Sequence, residues 1–135
     1  MKKLILCLSL IVFISNAFSQ SKQFRFEYDY SRFSYNDSSS YLEIYYSFYQ
    51  PLFKYLIDER NHKSIHGSLK VILKDMKNNQ QVVEKEYQFT SLLEDTLNNN
   101  DQKSLIGNLG YIIPFGDYEC ILIGKDLNAA DRLDR

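Results

Sequence analysis

Hydrophobic and polar residues alternate with a period of two along several stretches of this chain. Residues 24–30, FRFEYDY, place aromatic side chains on one face of an extended strand and charged side chains on the other. Residues 65–74 alternate in the same way, with Ile, Gly, Leu, Val and Leu in one row. Residues 82–89 follow after the polar turn 75–80, so the pattern predicts that these two strands pair as a β-hairpin.

Residues 41–49, YLEIYYSFY, form the most aromatic of the predicted strands. Its even positions are apolar and are predicted to face the core. Its odd row contains Tyr41, Tyr45 and Tyr49, with Tyr55 nearby in the sequence. Two interpretations stay open. The tyrosines are half-buried strand residues, which the β-propensity of aromatic residues favours, or they form a contact surface for a protein or a sugar.

The remaining pattern completes an all-β prediction. Residues 34–40 and 94–103 are polar and are expected to be loops, and residues 104–113 and 118–124 are two further strands. About seven strands at intervals of eight to twelve residues, with no helix between them, favour an antiparallel immunoglobulin-like sandwich. Pro114, Gly116 and Tyr118 precede the last strand and match a tyrosine corner, in which the hydroxyl bonds back to the nearby backbone.

The amino terminus has the pattern of a secretory signal peptide. Lys2 and Lys3 precede the apolar run 4–14, and residues 17–19, AFS, fit a small-x-small cleavage site. The apolar run is shorter than the roughly 20 residues of a membrane-spanning helix. We therefore predict a signal peptide at 1–19, a single β-sandwich domain at 20–135 without a transmembrane segment, and export to the periplasm, the cell envelope or the outside.

Charge and cysteine content restrict the partners and the source of stability. The chain has 16 basic and 17 acidic side chains, and Lys2 and Lys3 leave with the signal peptide, so the processed chain is weakly acidic. A surface without clustered basic residues argues against nucleic acid as a partner. Cys120 would be the one cysteine left after cleavage, which excludes an intrachain disulfide. Cys120 alternates with Leu122, so it is predicted to be a buried, inert thiol of the core.

Candidate metal ligands lack suitable spacing. His62 and His66 are four residues apart, but one lies in a turn and the other in a strand, so both are predicted to face solvent. Asp126, Asn128 and Asp131 do not follow the oxygen-ligand pattern of a calcium loop. We predict no metal and no cofactor.

Recognisable catalytic motifs are also absent from the sequence. It contains no G-x-S-x-G, no H-E-x-x-H and no glycine-rich phosphate loop. We therefore predict that the protein is not an enzyme and name no catalytic residue.

Four stretches together resemble the GWxTD-domain proteins of Bacteroidetes-like bacteria. They are FRFEYDYSRF, YLEIYYSF with a proline shortly after it, SLKVILKDMKNNQQVVEKEY and IIPFGDYECILIGKDLNAADR, and the similarity covers nearly all of residues 22–135. The best-matching positions are Glu43, the turn Pro114-x-Gly116-x-Tyr118, and Asp126. The resemblance implies the amino-terminal β-sandwich of a longer extracytoplasmic protein, and it brings no catalytic residues. The naming motif is absent, because the chain has no tryptophan, and we expect the sequence to be a fragment that continues past Arg135.

These observations favour one function and leave two alternatives. The favoured prediction is an exported, non-enzymatic interaction or accessory module whose partner is another envelope protein or a carboxyl-terminal domain of the same protein. The first alternative is a carbohydrate- or peptide-binding module that uses the tyrosine row. The second is a periplasmic hydrolase fragment whose acid/base pair is assembled across loops.

Overall fold

The alternating stretches form strands of two antiparallel sheets in a computed structural model, which describes residues 24–93, 103–129 and 133–135. A single 3-10 turn, Gln50–Leu52, begins where Pro51 interrupts the second strand. The strands are β1 (Phe26–Asn36), β2 (Ser39–Tyr49), β3 (Leu56–Ile57), β4 (Lys63–Asp75), β5 (Gln81–Leu93), β6 (Ser104–Pro114), β7 (Tyr118–Asp126) and β8 (Leu133–Asp134).

The strand order is that of a sandwich. Sheet A has the order β1-β2-β6, and sheet B contains β4 with β5 on one side and β3 and β7 on the other, with β8 beyond β7. Hairpin neighbours stay in one sheet, while the chain crosses between sheets from β2 to β3, from β5 to β6 and from β6 to β7. Immunoglobulin-like sandwiches have the same kind of Greek-key connection. The prediction of an all-β, antiparallel sandwich is confirmed.

The core lies between the sheets and contains one row of each long strand. In β4 the odd positions Ile65 to Leu73 are all buried, as the period of two predicts. In β2 the even positions Leu42, Ile44 and Phe48 are buried. The buried apolar side chains are Phe24, Leu42, Ile44, Phe48, Leu52, Phe53, Ile65, Leu69, Val71, Leu73, Tyr111, Ile113 and Leu122.

Phenylalanine rings fill one end of the core, and they pack directly onto two glycines of sheet B. The ring centre of Phe48 lies 5.1 Å from that of Phe26 and 5.0 Å from that of Phe89. Both distances are within the range of favourable aromatic pairs. A Cβ atom at Gly124 would lie 2.8 Å from Phe26 Cδ1 and 2.8 Å from Phe48 Cε1. A Cβ atom at Gly67 would overlap the Phe89 ring. These positions have room for rings only because they carry no side chain.

The polar stretch 34–40 is not a loop, contrary to the prediction. β1 continues to Asn36 and β2 starts at Ser39, so the turn is confined to residues 37 and 38. The Asn36 side-chain oxygen accepts hydrogen bonds from the Ser38 backbone N–H at 2.9 Å and from the Ser39 hydroxyl at 2.7 Å. This local bonding makes a tight hairpin from a composition that is typical of loops.

The prediction that Cys120 is buried in the core is also wrong. Its row is correct, because Cys120 pairs with Leu73 and alternates with buried Leu122 on the inner side of β7. The residue is nevertheless exposed, because the sandwich is open where β7 begins. Part of the side chain nevertheless lies between the sheets, and this burial raises the pKa of the thiol.

Asp126 ends β7 as a buried carboxylate that fixes the segment after the 3-10 turn. Its Oδ2 accepts a hydrogen bond from the Lys54 backbone N–H at 2.7 Å, and its Oδ1 accepts one from the Asn128 backbone N–H at 3.0 Å. The Asn128 amide donates to the Lys54 carbonyl at 2.8 Å. Asp126 and Asn128 are thus engaged with the backbone.

Several predicted segments lie outside the described residues. They are the signal peptide 1–19, residues 94–102 of the polar loop, and Asp131. Within 24–93, 103–129 and 133–135, no helix has the length and apolar character needed to cross a membrane.

Gly124→Ala should destabilise the protein by about 1–3 kcal/mol, because the added methyl group overpacks a filled core. The matched control is Gly116→Ala, whose Cβ would meet Tyr118 only at 3.5 Å and whose backbone does not have positive φ. Urea unfolding monitored by circular dichroism measures both changes. Equal unfolding midpoints for the two variants would show that the rings do not rest on Gly124.

Asp126→Ala should lower the free energy of unfolding by about 3 kcal/mol, because two partly buried backbone N–H groups lose their charged acceptor. Asp126→Asn should cost less, since the amide oxygen can still accept one of the two bonds. Asp37→Ala, in the exposed hairpin turn, is the control and should stay within about 0.5 kcal/mol of the parent. A similar loss for all three variants in urea titrations would contradict the assigned role of Asp126.

Candidate interaction face on the three-stranded sheet

The outer side of sheet A carries apolar side chains that the strand register brings together. Phe33 of β1 is opposite Tyr41 of β2, and Tyr41 is opposite Ile112 of β6, so the three side chains form a row across the sheet. Phe33 and Ile112 are both more than half exposed. Tyr41 lies flat over Gly110, where a Cβ atom would clash with its ring.

The same face continues along β2 and β6 with Tyr45 and Ile106. Ile106 is the most exposed large hydrophobic residue of the described chain, at 80%. Together with Phe33, Tyr41 and Ile112, these residues define what we call the aromatic face.

Acidic side chains accompany the aromatic face. Glu27, Asp29 and Glu43 occupy the outward rows of β1 and β2, and the outward rows over residues 27–33, 41–49 and 104–112 contain no lysine or arginine. The Tyr45 hydroxyl donates a hydrogen bond to Glu43 Oε2. That bond to Glu43, followed by partial burial, raises the pKa of Tyr45.

The predicted tyrosine row is present but uneven. Tyr41 and Tyr45 belong to the aromatic face, whereas Tyr49 at the end of β2 packs partly against the core. Tyr55 does not join the row, because the chain has crossed to sheet B before β3, and its ring instead lies 5.8 Å from the Lys63 ammonium. Tyr41 and Tyr45 face away from sheet B, and no described strand packs over them.

The outer side of sheet B has a different chemistry. Lys70 pairs with Glu84 at 2.6 Å, and Lys74 lies 3.5 Å from Glu119. These partners sit on neighbouring strands, as cross-strand ion pairs do on a solvated sheet. Sheet B therefore presents matched charges where sheet A presents aromatic rings.

A third ion pair on sheet B belongs to a small network. Glu86 accepts a hydrogen bond from the Ser68 hydroxyl at 2.8 Å and lies 3.5 Å from Lys125. The Ser68 bond is the main reason that the pKa of Glu86 is lowered, and Lys125 adds to it. The buried hydroxyl of Ser68 is satisfied by this carboxylate.

Pro114, Gly116 and Tyr118 form the turn between β6 and β7. The Tyr118 hydroxyl donates to the Pro114 carbonyl at 3.0 Å, and burial is the main cause of its raised pKa. Arg32 Nη1 donates to the Gly116 carbonyl at 2.8 Å, and its guanidinium lies 5.8 Å from the centre of the Tyr118 ring. The two Arg32 contacts hold the turn that joins the sheets against β1.

The two histidines have separate local partners. His62 Nδ1 lies 3.1 Å from Asp58 Oδ2 in an exposed turn. His66 lies between the Ser64 and Thr90 hydroxyls, each 3.1 Å from a ring nitrogen. In the part of the chain that the structure describes, no three His, Cys, Asp or Glu side chains come together in a way that could hold a metal ion.

Sequence reasoning missed Phe33, Ile106 and Ile112 as members of the face. Each lies on a different strand from the tyrosines of β2. Only the pairing register places Phe33 and Ile112 in line with Tyr41, and Ile106 opposite Ser47, the next outward residue after Tyr45. The available signal was an apolar residue in an otherwise outward row of its strand, such as Ile112 beside core residues Tyr111 and Ile113.

Comparison with known proteins gives no match to a family model, to a curated protein or to a solved structure. The resemblance to GWxTD-domain proteins therefore stays a prediction.

Proposed function

We propose that this protein is an exported, non-enzymatic interaction module of the bacterial cell envelope, and that its aromatic face binds another envelope protein. The observation that carries the proposal is the difference between the two outer surfaces. The outer side of sheet B has cross-strand ion pairs, whereas that of sheet A has a row in which the half-buried Tyr41 lies between exposed Phe33 and Ile112.

Composition supports a protein contact at this face. Interface centres are enriched in tyrosine, phenylalanine and other large apolar residues and depleted in charge, with polar residues at the rim. Large exposed apolar patches on soluble domains commonly mark such contacts. The aromatic face follows this arrangement, because Glu27 and Asp29 lie beside its apolar row.

Charge indicates the chemistry of the partner. The outward rows carry three acidic residues, Glu27, Asp29 and Glu43, against one basic residue, Arg25, which precedes β1 in the same alternation. A partner with lysine or arginine around an apolar centre would complement this acidic excess. We therefore propose a basic, apolar protein surface as the ligand.

One observation favours a second candidate, which is carbohydrate binding. Tyr45 and Glu43 place an aromatic ring and a hydrogen-bonded carboxylate side by side on the exposed face. A tyrosine with an apolar body and a polar tip can stack on a sugar while the carboxylate accepts from its hydroxyls. A glycan array probed with the parent protein and with Tyr45→Ala separates this candidate from protein binding.

Ile106→Lys should abolish recovery of the partner without lowering stability, because Ile106 is 80% exposed and a charge within an apolar contact is unfavourable. The matched control is Leu92→Lys, since Leu92 is 70% exposed on the outer side of sheet B. Parent and variants serve as baits for an envelope fraction of the source bacterium, and the captured proteins are quantified by mass spectrometry.

The parent and Leu92→Lys should recover the same partner, and Ile106→Lys should not. Equal recovery by both variants, or recovery of nothing by the parent, would count against the aromatic face as the binding surface. Thermal unfolding of each bait shows whether the comparison is between equally folded proteins.

Export has its own test. If residues 1–19 are a signal peptide, the protein isolated from the envelope or periplasm should begin at Gln20. Amino-terminal sequencing of that material measures the cleavage site, and an intact Met1 in the cytosolic fraction would refute this part of the proposal.

A further inference from the structure

The two sheets part between β1 and β7 and leave a groove with a volume of about 520 Å³. Apolar side chains of both sheets form its floor, among them Leu42, Ile44, Leu73 and Leu122. Arg32 and Tyr118 stand at the end of the groove where the β6–β7 turn begins. The groove is thus part of the inter-sheet space that the core does not fill.

Two tyrosines of β1 that point toward the groove have no described strand facing them. Tyr28 and Tyr30 belong to the same inward row of β1 as Phe26, but they are 60% and 65% exposed. Side chains of an inward row are normally covered by the facing sheet. Here no described strand covers them.

The edge of β7 beside the groove is an unpaired strand edge. β8 pairs with β7 only at Gly124 and Lys125, and residues 118–123 have no strand on that side among the described residues. A second cavity of about 180 Å³ follows the same edge, bounded by Tyr28, residues 119–122 and Arg135. An open path therefore runs along β7 from the end of β8 to the β6–β7 turn.

The facing edge of β1 is partly blocked. The Phe26 backbone N–H donates to Asp134 Oδ2 at 3.0 Å, and the Tyr30 backbone N–H donates to Asp29 Oδ1 at 2.8 Å. Such side-chain bonds use up donors that another strand would need. No side chain bonds to the backbone of residues 118–123 within the described structure, so β7 is the edge open to pairing.

We propose that the groove binds an extended segment of a partner polypeptide, which adds to β7 as an antiparallel strand in line with β8. Addition of a strand to an exposed sheet edge is an established mode of peptide recognition, in which backbone bonds give affinity and alternate side chains enter pockets. The six residues 118–123 would pair with a segment about 20 Å long.

The register of β8 fixes which side chains of the segment face inward. Asp134 is opposite Gly124, so a strand that continues the line of β8 places its second residue after Asp134 opposite Leu122 and its fourth opposite Cys120. Both β7 positions belong to the inward row. The segment should therefore carry apolar residues at alternate positions, and its polar residues should point to solvent.

A tethered strand tests whether the groove accepts this register. Six residues, Val-Thr-Val-Thr-Val-Thr, are added after Arg135, which directs the three valines into the groove. The matched control has the same composition with the order reversed to Thr-Val-Thr-Val-Thr-Val. Cys120 reports occupancy, because it is exposed and lines both cavities. Its alkylation by N-ethylmaleimide is followed by mass spectrometry in chains that lack residues 1–19.

The in-register tail should slow alkylation of Cys120 by about tenfold or more and raise the unfolding midpoint, while the reversed tail should leave both near the parent values. Equal protection by both tails would show unspecific apolar coverage and overturn strand pairing. No protection by either tail would overturn the groove as a strand site.

Two further measurements fix the source of the strand. A synthetic peptide with the same six residues and two terminal lysines, at several millimolar to match a short tether, should slow alkylation of the parent protein but not of the in-register variant. The parent protein alone should be monomeric by light scattering. Failure of the peptide while the tail protects, or a parent dimer that the in-register tail dissociates, would overturn a partner polypeptide as the occupant.

Discussion

Packing of phenylalanine rings onto glycine backbone is the constraint on which the sandwich depends. Phe26 and Phe48 come from sheet A and reach Gly124 of β7, while Phe89 of sheet B covers Gly67 of β4. Because the rings occupy the space where side chains of sheet B would stand, the two sheets approach closely at this end. Burial of such rings is the largest apolar contribution available to a chain without tryptophan.

One long edge of the sandwich is closed and the other is open. The inward tyrosines meet across the sheets at the first edge but not at the second. At the β5–β6 edge, Tyr111 donates a hydrogen bond to the Tyr87 hydroxyl at 3.0 Å and closes the gap between the sheets. Burial, together with this bond, raises the pKa of Tyr111 strongly. At the β1–β7 edge the inward residues are Tyr28 and Tyr30, which no described strand covers, and the groove opens there.

The period-two alternation was enough to predict the strands and the class of fold, because each strand has one buried and one exposed row. The turn at 34–40 was not predictable from composition, since Asn36 bonds to the next serines and shortens it to two residues. The exposure of Cys120 could not be read from its row either, because it depends on how far the facing sheet extends.

The candidate sites were predictable only in part for the same reason. Tyr41 and Tyr45 stand out within one strand, but their neighbours Phe33 and Ile112 are brought in by pairing between residues far apart in sequence. Register is set by the whole set of buried rows, which a single strand does not contain. The groove could not be predicted from the sequence, because it lies where no described strand pairs with the first residues of β7.

The two proposed contact surfaces belong to different sheets and do not compete for the same residues. The aromatic face is the outer side of sheet A, whereas the open edge of β7 belongs to sheet B. A strand added to β7 would extend sheet B and cover Tyr28 and Tyr30 from the inner side, leaving Phe33 and Tyr41 untouched. Both surfaces can therefore be occupied at once, which suits a module that joins two partners of an assembly.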